Sequence, residues 1–261
     1  MLPRSFGRVN RTASALAGLL VLVGCGGSTD VERLVTTLHS VRPHDELAFT
    51  EGLEVEGDTL YESSGREGTS NLRAINLATG EDVSRRTFPA PIFAEGIGID
   101  GERIVQLTWK GGVAYISSRV DLRPLGTYRY DGEGWGLCMS ADGWVMSNGS
   151  DTLSVRDRTT FTPKSTIHVT LEGKPVDQLN ELECVGDQIY ANVWKTSRIL
   201  RIEKSGRVSA VIDASNLPVS RPDDPDAVLN GIAYLPATRR FLLTGKLWPS
   251  MFEVTFEAAT P

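Results

Sequence analysis

Apolar positions follow two patterns along the chain. Ala13 to Val23 is an unbroken apolar run of 11 residues, preceded by Arg4, Arg8 and Arg11. Beyond it, apolar and polar residues alternate in short runs separated by turn residues. The first run is too short for a permanent membrane span, and with its basic flank it reads as a signal segment. The alternating runs have the period of strands with one buried face, and no segment keeps an apolar stripe of helical period. The chain therefore reads as all-β.

The alternation recurs. Phe-Thr-Glu-Gly-Leu from Phe49, Phe-Ala-Glu-Gly-Ile from Phe93, Gly-Glu-Gly-Trp-Gly-Leu from Gly132, Leu-Asn-Glu-Leu from Leu179 and Leu-Asn-Gly-Ile from Leu229 are related segments. Aligned on Gly52, Gly96, Gly136, Glu181 and Gly231, they lie 44, 40, 45 and 50 residues apart. Each continues into a second alternating run across a tight turn. The turns are Gly57-Asp58, Asp100-Gly101, Asp142-Gly143 and Gly186-Asp187, with a longer Pro236 to Arg240 loop in the last copy. Such dipeptides between alternating runs signal hairpins. Further strands are expected at Leu72 to Leu77 and Ile199 to Ile202.

A β unit of about 45 residues with roughly four strands has the size of a propeller blade. Five units predict a five-bladed β-propeller over residues 33–257. Arg33 to Val41 is expected to close the ring as an outer strand beside Met251 to Phe256, removing two sheet edges. A sandwich is the alternative, but it predicts no regular spacing.

The alignment also predicts what surrounds the axis. Glu51, Glu95, Trp135, Asn180 and Asn230 precede the aligned column and would ring one mouth of the channel. A second ring is expected 13 residues after the column at Gly65, Trp109, Gly149 and Trp194, with Trp248 as its member in the last copy, unless Trp248 belongs to the core, and Lys246 nearby. Nothing in a propeller scaffold requires carboxylates, amides, an ammonium and indoles there. A carboxylate among indoles is desolvated, its pKa rises, and it becomes a proton shuttle near neutrality. Asn and Lys donors can steady an oxyanion. The plainer alternative is a mouth that binds water, an ion or a partner.

Other chemistries lack their residues. His39, His44 and His168 fall outside the axial positions and have no ligand spacing, which argues against a zinc hydrolase or a Ser-His-Asp enzyme. No nucleophile elbow, phosphate loop or dinucleotide fingerprint occurs. No cofactor or metal is expected; the aspartates in Arg221 to Asp226 lack a regular calcium spacing. Glu62, Glu133, Glu181 and Glu183 read as strand-end or solvated carboxylates, and Trp144 as a packing residue. The net charge of −6 becomes −9 without the three N-terminal arginines, so nucleic acid is excluded as a partner.

Phe49 to Leu53, Phe93 to Gly96, Gln106 to Trp109, Gly132 to Leu137, Leu179 to Glu183, Tyr190 to Trp194, Leu229 to Tyr234 and Thr244 to Pro249 together resemble the plant and bacterial glutamine cyclotransferase family. The resemblance runs from about Pro43 to Val254. It implies conversion of an N-terminal glutamine to pyroglutamate with release of ammonia and without a metal. Glu95 then matches the proton shuttle, and Asn180 and Lys246 the residues that steady the amide oxygen. Trp109, Trp135 and Trp194, with Phe49 and Phe93, match the aromatic lining. Glu51 departs from the plant pattern, which has glutamine there; a carboxylate at this place can contact the substrate amine or raise the pKa of Glu95. The rival from another class is a non-catalytic propeller that binds or assembles in the bacterial envelope. A hydrolase or lactonase on a related propeller would need metal-binding side chains at the axis.

Leu22-Val23-Gly24-Cys25 resembles a bacterial lipobox. Residues 1–24 are thus expected to be a lipoprotein signal peptide, with lipidated Cys25 tethering residues 25–32 to a membrane outside the cytoplasm, on the periplasmic side. An ordinary signal peptide with a chance cysteine is the alternative. Cys138 and Cys184 remain, too few for a disulfide-built scaffold; they fall on inner strands of adjacent units, where a bridge requires Cα atoms within ~7 Å. A closed ring leaves no edge to pair, so a monomer is expected.

Overall fold

A computed structural model describes residues 1–2, 30–220 and 222–259. The chain divides into two units, Met1–Asp30 and Val31–Pro261. The signal segment, Cys25 and the first part of the tether lie outside the described residues.

Among the described residues there are strands and turns and no helix. β1 (Glu32–Pro43) comes first. β2 (Thr50–Glu56), β3 (Thr59–Ser64), β4 (Asn71–Asn76) and β5 (Asp82–Thr87) form an antiparallel sheet. A second contains β6 (Ala94–Asp100), β7 (Arg103–Thr108), β8 (Val113–Ser118) and β9 (Pro124–Arg129). A third contains β10 (Leu137–Ser140), β11 (Gly143–Met146), β12 (Thr152–Arg156) and β13 (Pro163–His168). A small ribbon of β14 (Thr170–Leu171) and β15 (Lys174–Pro175) follows. Then come β16 (Leu179–Val185), β17 (Gln188–Val193), β18 (Arg198–Glu203) and β19 (Val208–Asp213), and finally β20 (Leu229–Leu235), β21 (Arg240–Gly245) and β22 (Ser250–Ala258). These last seven strands and β1 make an eight-stranded sheet in the order β16-β17-β18-β19-β1-β22-β21-β20.

β1 is the expected closing strand. It runs antiparallel to β22 from Leu34 opposite Ala258 to Pro43 opposite Ser250. It does more than the sequence indicated, because Glu32 to Val35 also pair parallel with β19. The hairpin turns fall at the expected dipeptides for Gly57-Asp58 and Gly186-Asp187. Two others move by one residue. Asp100 pairs with Arg103, so the turn is Gly101-Glu102, and Gly101 takes the positive φ of 59° that the first turn position demands. Ser140 pairs with Gly143, leaving Ala141-Asp142 at the tip.

In the four-stranded sheets burial falls from the first strand to the last: β2 and β6 are almost wholly covered, while β5, β9 and β13 face solvent on most residues. Apolar clusters lie between sheets and follow one another cyclically. Tyr61 and Leu72 meet Ile97 and Ile104; Val105 and Leu107 meet Leu137 and Trp144; Val145 and Leu153 meet Leu182 and Leu200. Ile199 and Ile212 meet Ile232 and Phe241, and Ala233 and Leu242 return to Leu53 and Leu60. Face-to-face packing of twisted sheets around an axis gives a propeller-like, all-β fold. Cys138 of β10 and Cys184 of β16 are joined by a disulfide across one such interface, with Cα atoms 5.5 Å apart.

Candidate active site

The repeat delivers side chains to the axis from two equivalent positions. One is at or just before the start of each first strand, and carries Glu51, Glu95, Trp135, Asn180 and Asn230. The other is the first residue past a second strand: Gly65 after β3, Trp109 after β7, Trp194 after β17 and Lys246 after β21. Their amides make the same bond. Gly65 donates to the Phe49 carbonyl at 2.8 Å, Trp109 to Phe93 at 3.0 Å, Trp194 to Gln178 at 2.8 Å and Lys246 to Val228 at 2.9 Å.

This corrects the expected second ring. The last hairpin is longer, so the equivalent of Trp194 is Lys246 rather than Trp248. Trp248 is wholly buried, with its Nε1 donating to the Ala227 carbonyl at 3.1 Å. An ammonium thus occupies a place that holds an indole in two other copies.

Glu95, Asn180 and Lys246 share one cavity of about 370 Å³ with Phe49, Glu51, Phe93, Trp109, Trp135 and Trp194. Glu51 is buried; its Oε1 accepts from Lys246 Nζ at 2.7 Å and its Oε2 from Asn230 Nδ2 at 3.2 Å. Asn230 therefore supports Glu51 from beneath. Glu51 and Glu95 lie close enough for each to influence the other's titration. Burial pushes Glu51 above the ordinary carboxylate range although Lys246 opposes it. Burial, followed by the charge of Glu51, pushes Glu95 well above it. The two carboxyls therefore titrate as an interacting pair, with Glu95 the one pushed further up. Asn180 is buried, its backbone carbonyl accepts from Ser147 Oγ at 2.6 Å, and its Oδ1 has no partner among the described residues.

Aromatic rings wall this polar floor. Phe49 meets Phe93 edge-on at 6.1 Å, Phe93 leans on Trp109 at 5.6 Å, and Trp135 meets Trp194 edge-on at 5.7 Å. The glycines that alternate with tryptophan in the second ring give these rings room. A Cβ on Gly149 would stand 2.7 Å from the Trp135 ring, and one on Gly65 would stand 2.5 Å from the Phe93 ring.

Three lining residues were not anticipated: Arg66, Lys195 and Asp226. Arg66 lies 4.2 Å over Phe49 and pairs with Asp224 at 3.1 Å; Lys195 lies 4.6 Å over Trp194 and pairs with Asp226 at 3.6 Å. Asp224 and Asp226, whose segment lacks a calcium spacing, thus pair with the cations of the rim. A signal existed, since Arg66, Lys110 and Lys195 each directly follow a second-ring residue.

The four carboxylates read as strand-end or solvated behave differently. Glu133 accepts from both Trp109 Nε1, at 2.8 Å, and Trp135 Nε1, at 3.0 Å. Glu62 is buried against His44, Thr50 and Arg73. Glu181 and Glu183 are also buried, accepting from the backbone amides of Ile232 at 2.9 Å and Tyr234 at 3.1 Å. Trp144 is a fully buried packing residue.

Among the described residues no group of three or more His, Cys, Asp or Glu is placed to hold a metal ion. A larger cavity of about 530 Å³ lies away from the carboxyl pair, along Arg42, Asp45, Arg73 and Asp82. Its guanidiniums are already neutralised, Arg42 by Glu253 at 3.2 Å and Arg73 by Glu62 and Asp45, so it offers little to an anionic ligand.

A desolvated carboxyl pair, an ammonium and an uncommitted amide below an aromatic wall define an acid–base site for a small polar group carried on an apolar stem. Comparison with known proteins agrees. Residues 12–256 match the family model described as glutamine cyclotransferase, and the chain belongs to that family. It is 32% identical over 243 residues to a glutaminyl-peptide cyclotransferase of Arabidopsis thaliana, covering 90% of this chain and 76% of that protein. The crystal structure of Myxococcus xanthus glutaminyl cyclase superposes with a TM-score of 0.84 at 39% identity, covering 88% of this chain and all of the other.

Proposed function

We propose that the protein is a glutaminyl-peptide cyclotransferase, which closes the N-terminal glutamine of a peptide or protein to pyroglutamate and releases ammonia. The observation that carries this is the Glu51–Glu95–Lys246 cluster beneath the aromatic wall. The indoles and phenyl rings fold the glutamine side chain back on its own amine, so the reaction is intramolecular and mainly a matter of positioning.

The raised pKa of Glu95 suits the proton accounting. An α-ammonium with a pKa near ~8 passes its proton at lower cost to a carboxylate whose pKa is raised. The freed amine attacks the side-chain amide carbon, forming the ring C–N bond. The amide oxygen becomes an oxyanion facing Asn180 and Lys246. Glu95 then protonates the amide nitrogen, the C–N bond breaks, and ammonia leaves as the carbonyl reforms. The new ring nitrogen returns its extra proton to Glu95, and ammonia carries it away as ammonium. Acid, base and oxyanion donors all come from the chain itself, so the route is written without a metal ion.

The same reading assigns a five-bladed propeller to residues 33–257, supported by cyclic packing in which β2 meets β6, β6 meets β10, β10 meets β16, and β16 and β2 both meet β20. Residues 1–24 would be the lipoprotein signal peptide and residues 25–32 the tether. Lipidated Cys25 would hold a monomer on the periplasmic side of the bacterial envelope. The Cys138–Cys184 bridge favours such an oxidising compartment.

The test is ammonia release from a Gln-initiated dipeptide by the form lacking residues 1–25, with chelator present. Release that disappears in a folded Glu95→Gln variant is expected. Near-normal release by that variant would remove Glu95 as the shuttle. No release by the parent protein across several Gln-initiated peptides would favour a binding module.

A further inference from the structure

Glu133 has no place in the proton route, yet it is tied to two walls of the pocket. A single oxygen, Oε2, accepts the indole N–H of Trp109 at 2.8 Å and that of Trp135 at 3.0 Å. These rings come from different sheets, Trp109 after β7 and Trp135 before β10. The Glu133 loop is itself fixed to Trp109, because the Gly134 amide donates to the Trp109 carbonyl at 3.0 Å. On the outer side Lys110 Nζ lies 3.7 Å from Glu133 Oε1 and 3.8 Å over the Trp109 ring.

Packing alone does not call for this arrangement. Both rings are half-buried at a mouth open to solvent, where water could satisfy each N–H. With both donors turned to one acceptor, the rings keep their N–H groups off the substrate and orient as a pair. An ionised acceptor makes such bonds strong. Burial would raise the Glu133 pKa, but hydrogen bonds from Trp135 and Trp109 and the nearby Lys110 outweigh it and lower it, keeping the carboxylate charged.

We propose that Glu133 is a positioning residue, which holds Trp109 and Trp135 in the orientation that receives the folded glutamine side chain. It rests on the cyclotransferase reading for its substrate, and acts on binding rather than on proton transfer. A glutamine side chain in its place would keep an acceptor oxygen, whereas alanine would release both indoles, and the two variants separate hydrogen bonding from charge.

The experiment compares Glu133→Ala and Glu133→Gln in steady-state ammonia release from a Gln-initiated dipeptide, and in the near-ultraviolet circular dichroism of the tryptophans. For Glu133→Ala, KM should rise about tenfold with kcat changed less than about threefold, and the near-ultraviolet signal should change. Glu133→Gln should stay within about threefold of the parent KM and keep its spectrum. An unchanged KM and spectrum in the alanine variant would overturn the proposal. So would a glutamine variant as impaired as the alanine one, because charge and not the acceptor would then matter. Absence of ammonia release by the parent protein would reject the cyclotransferase reading instead. The spectra alone would then decide whether Glu133 orients the indoles.

Discussion

Glu51 is the residue through which the pH response of the site is most directly altered. Its carboxylate bonds Lys246 and Asn230, and it is coupled to the neighbouring Glu95. Burial raises Glu95 first, and the charge of Glu51 raises it further. Glu51→Gln removes that second contribution and leaves the Lys246 ammonium without its anionic partner beside Glu95. Both changes favour ionised Glu95, so its pKa falls. The acidic limb of the kcat/KM profile should therefore move to lower pH, as measured across a buffer series with a Gln-initiated dipeptide. An unmoved limb, or one displaced upward, would refute the coupling. The residues of this floor were legible from the sequence because the repeat aligns them. From the repeat alone Lys246 was legible only as a neighbour of the ring, since its true equivalence to Trp194 depends on the extra residues in the last hairpin. Glu133 was not legible, as an exposed-looking acid gives no sign of the two indoles that the fold brings to it.

At the scale of elements, alternation and turn dipeptides predicted the hairpins well, because a strand with one covered face needs that pattern locally. Contacts between elements were harder. The parallel pairing of β1 with β19 joins residues about 180 positions apart, and no local signal encodes it. Likewise the Glu62 network draws on His44, Thr50 and Arg73 from three separate segments. The disulfide is intermediate: placing Cys138 and Cys184 on adjacent first strands made a bridge geometrically possible, and the structure closes it. A cross-link spanning 46 residues restricts the unfolded chain, which a chain-entropy account values at about 4 kcal/mol. The Cys138→Ser, Cys184→Ser double variant should lose stability of that order in urea unfolding. A loss below about 1 kcal/mol would mean that interface packing, not the cross-link, holds β10 against β16.

Across the whole molecule, buried carboxyls set an unusual dependence of stability on pH. Glu62 behaves in the ordinary direction. Burial would raise it, but His44 and Arg73 bring it from 4.5 to about 2. Its contribution is present above 4.5 and is lost as pH falls from there toward 2. Glu183 runs the other way, pushed by burial from 4.5 up to about 8, and Glu54 and Glu181 are raised in the same direction. A carboxyl that keeps its proton longer in the folded state favours folding less and less as pH rises from 4.5 through its folded value. His44 adds to this trend. Burial would lower it, yet Glu62 raises it above 6.5, so its contribution is complete below 6.5 and fades as pH climbs through the raised value. These directions together place maximal stability near about pH 5, below the range usual for globular proteins. Scanning calorimetry of the form lacking residues 1–25 should give a Tm that rises from pH 3 to 5 and falls steadily from 5 to 9. Glu183→Gln should flatten the fall between 5 and 8 while leaving the acid side unchanged. A parent protein whose Tm is level from pH 5 to 8 would mean that these carboxyls are ionised at little cost. Their surroundings would then have to be polar enough to solvate them, and the same argument would weaken the raised pKa on which the proposed role of Glu95 as a proton carrier rests.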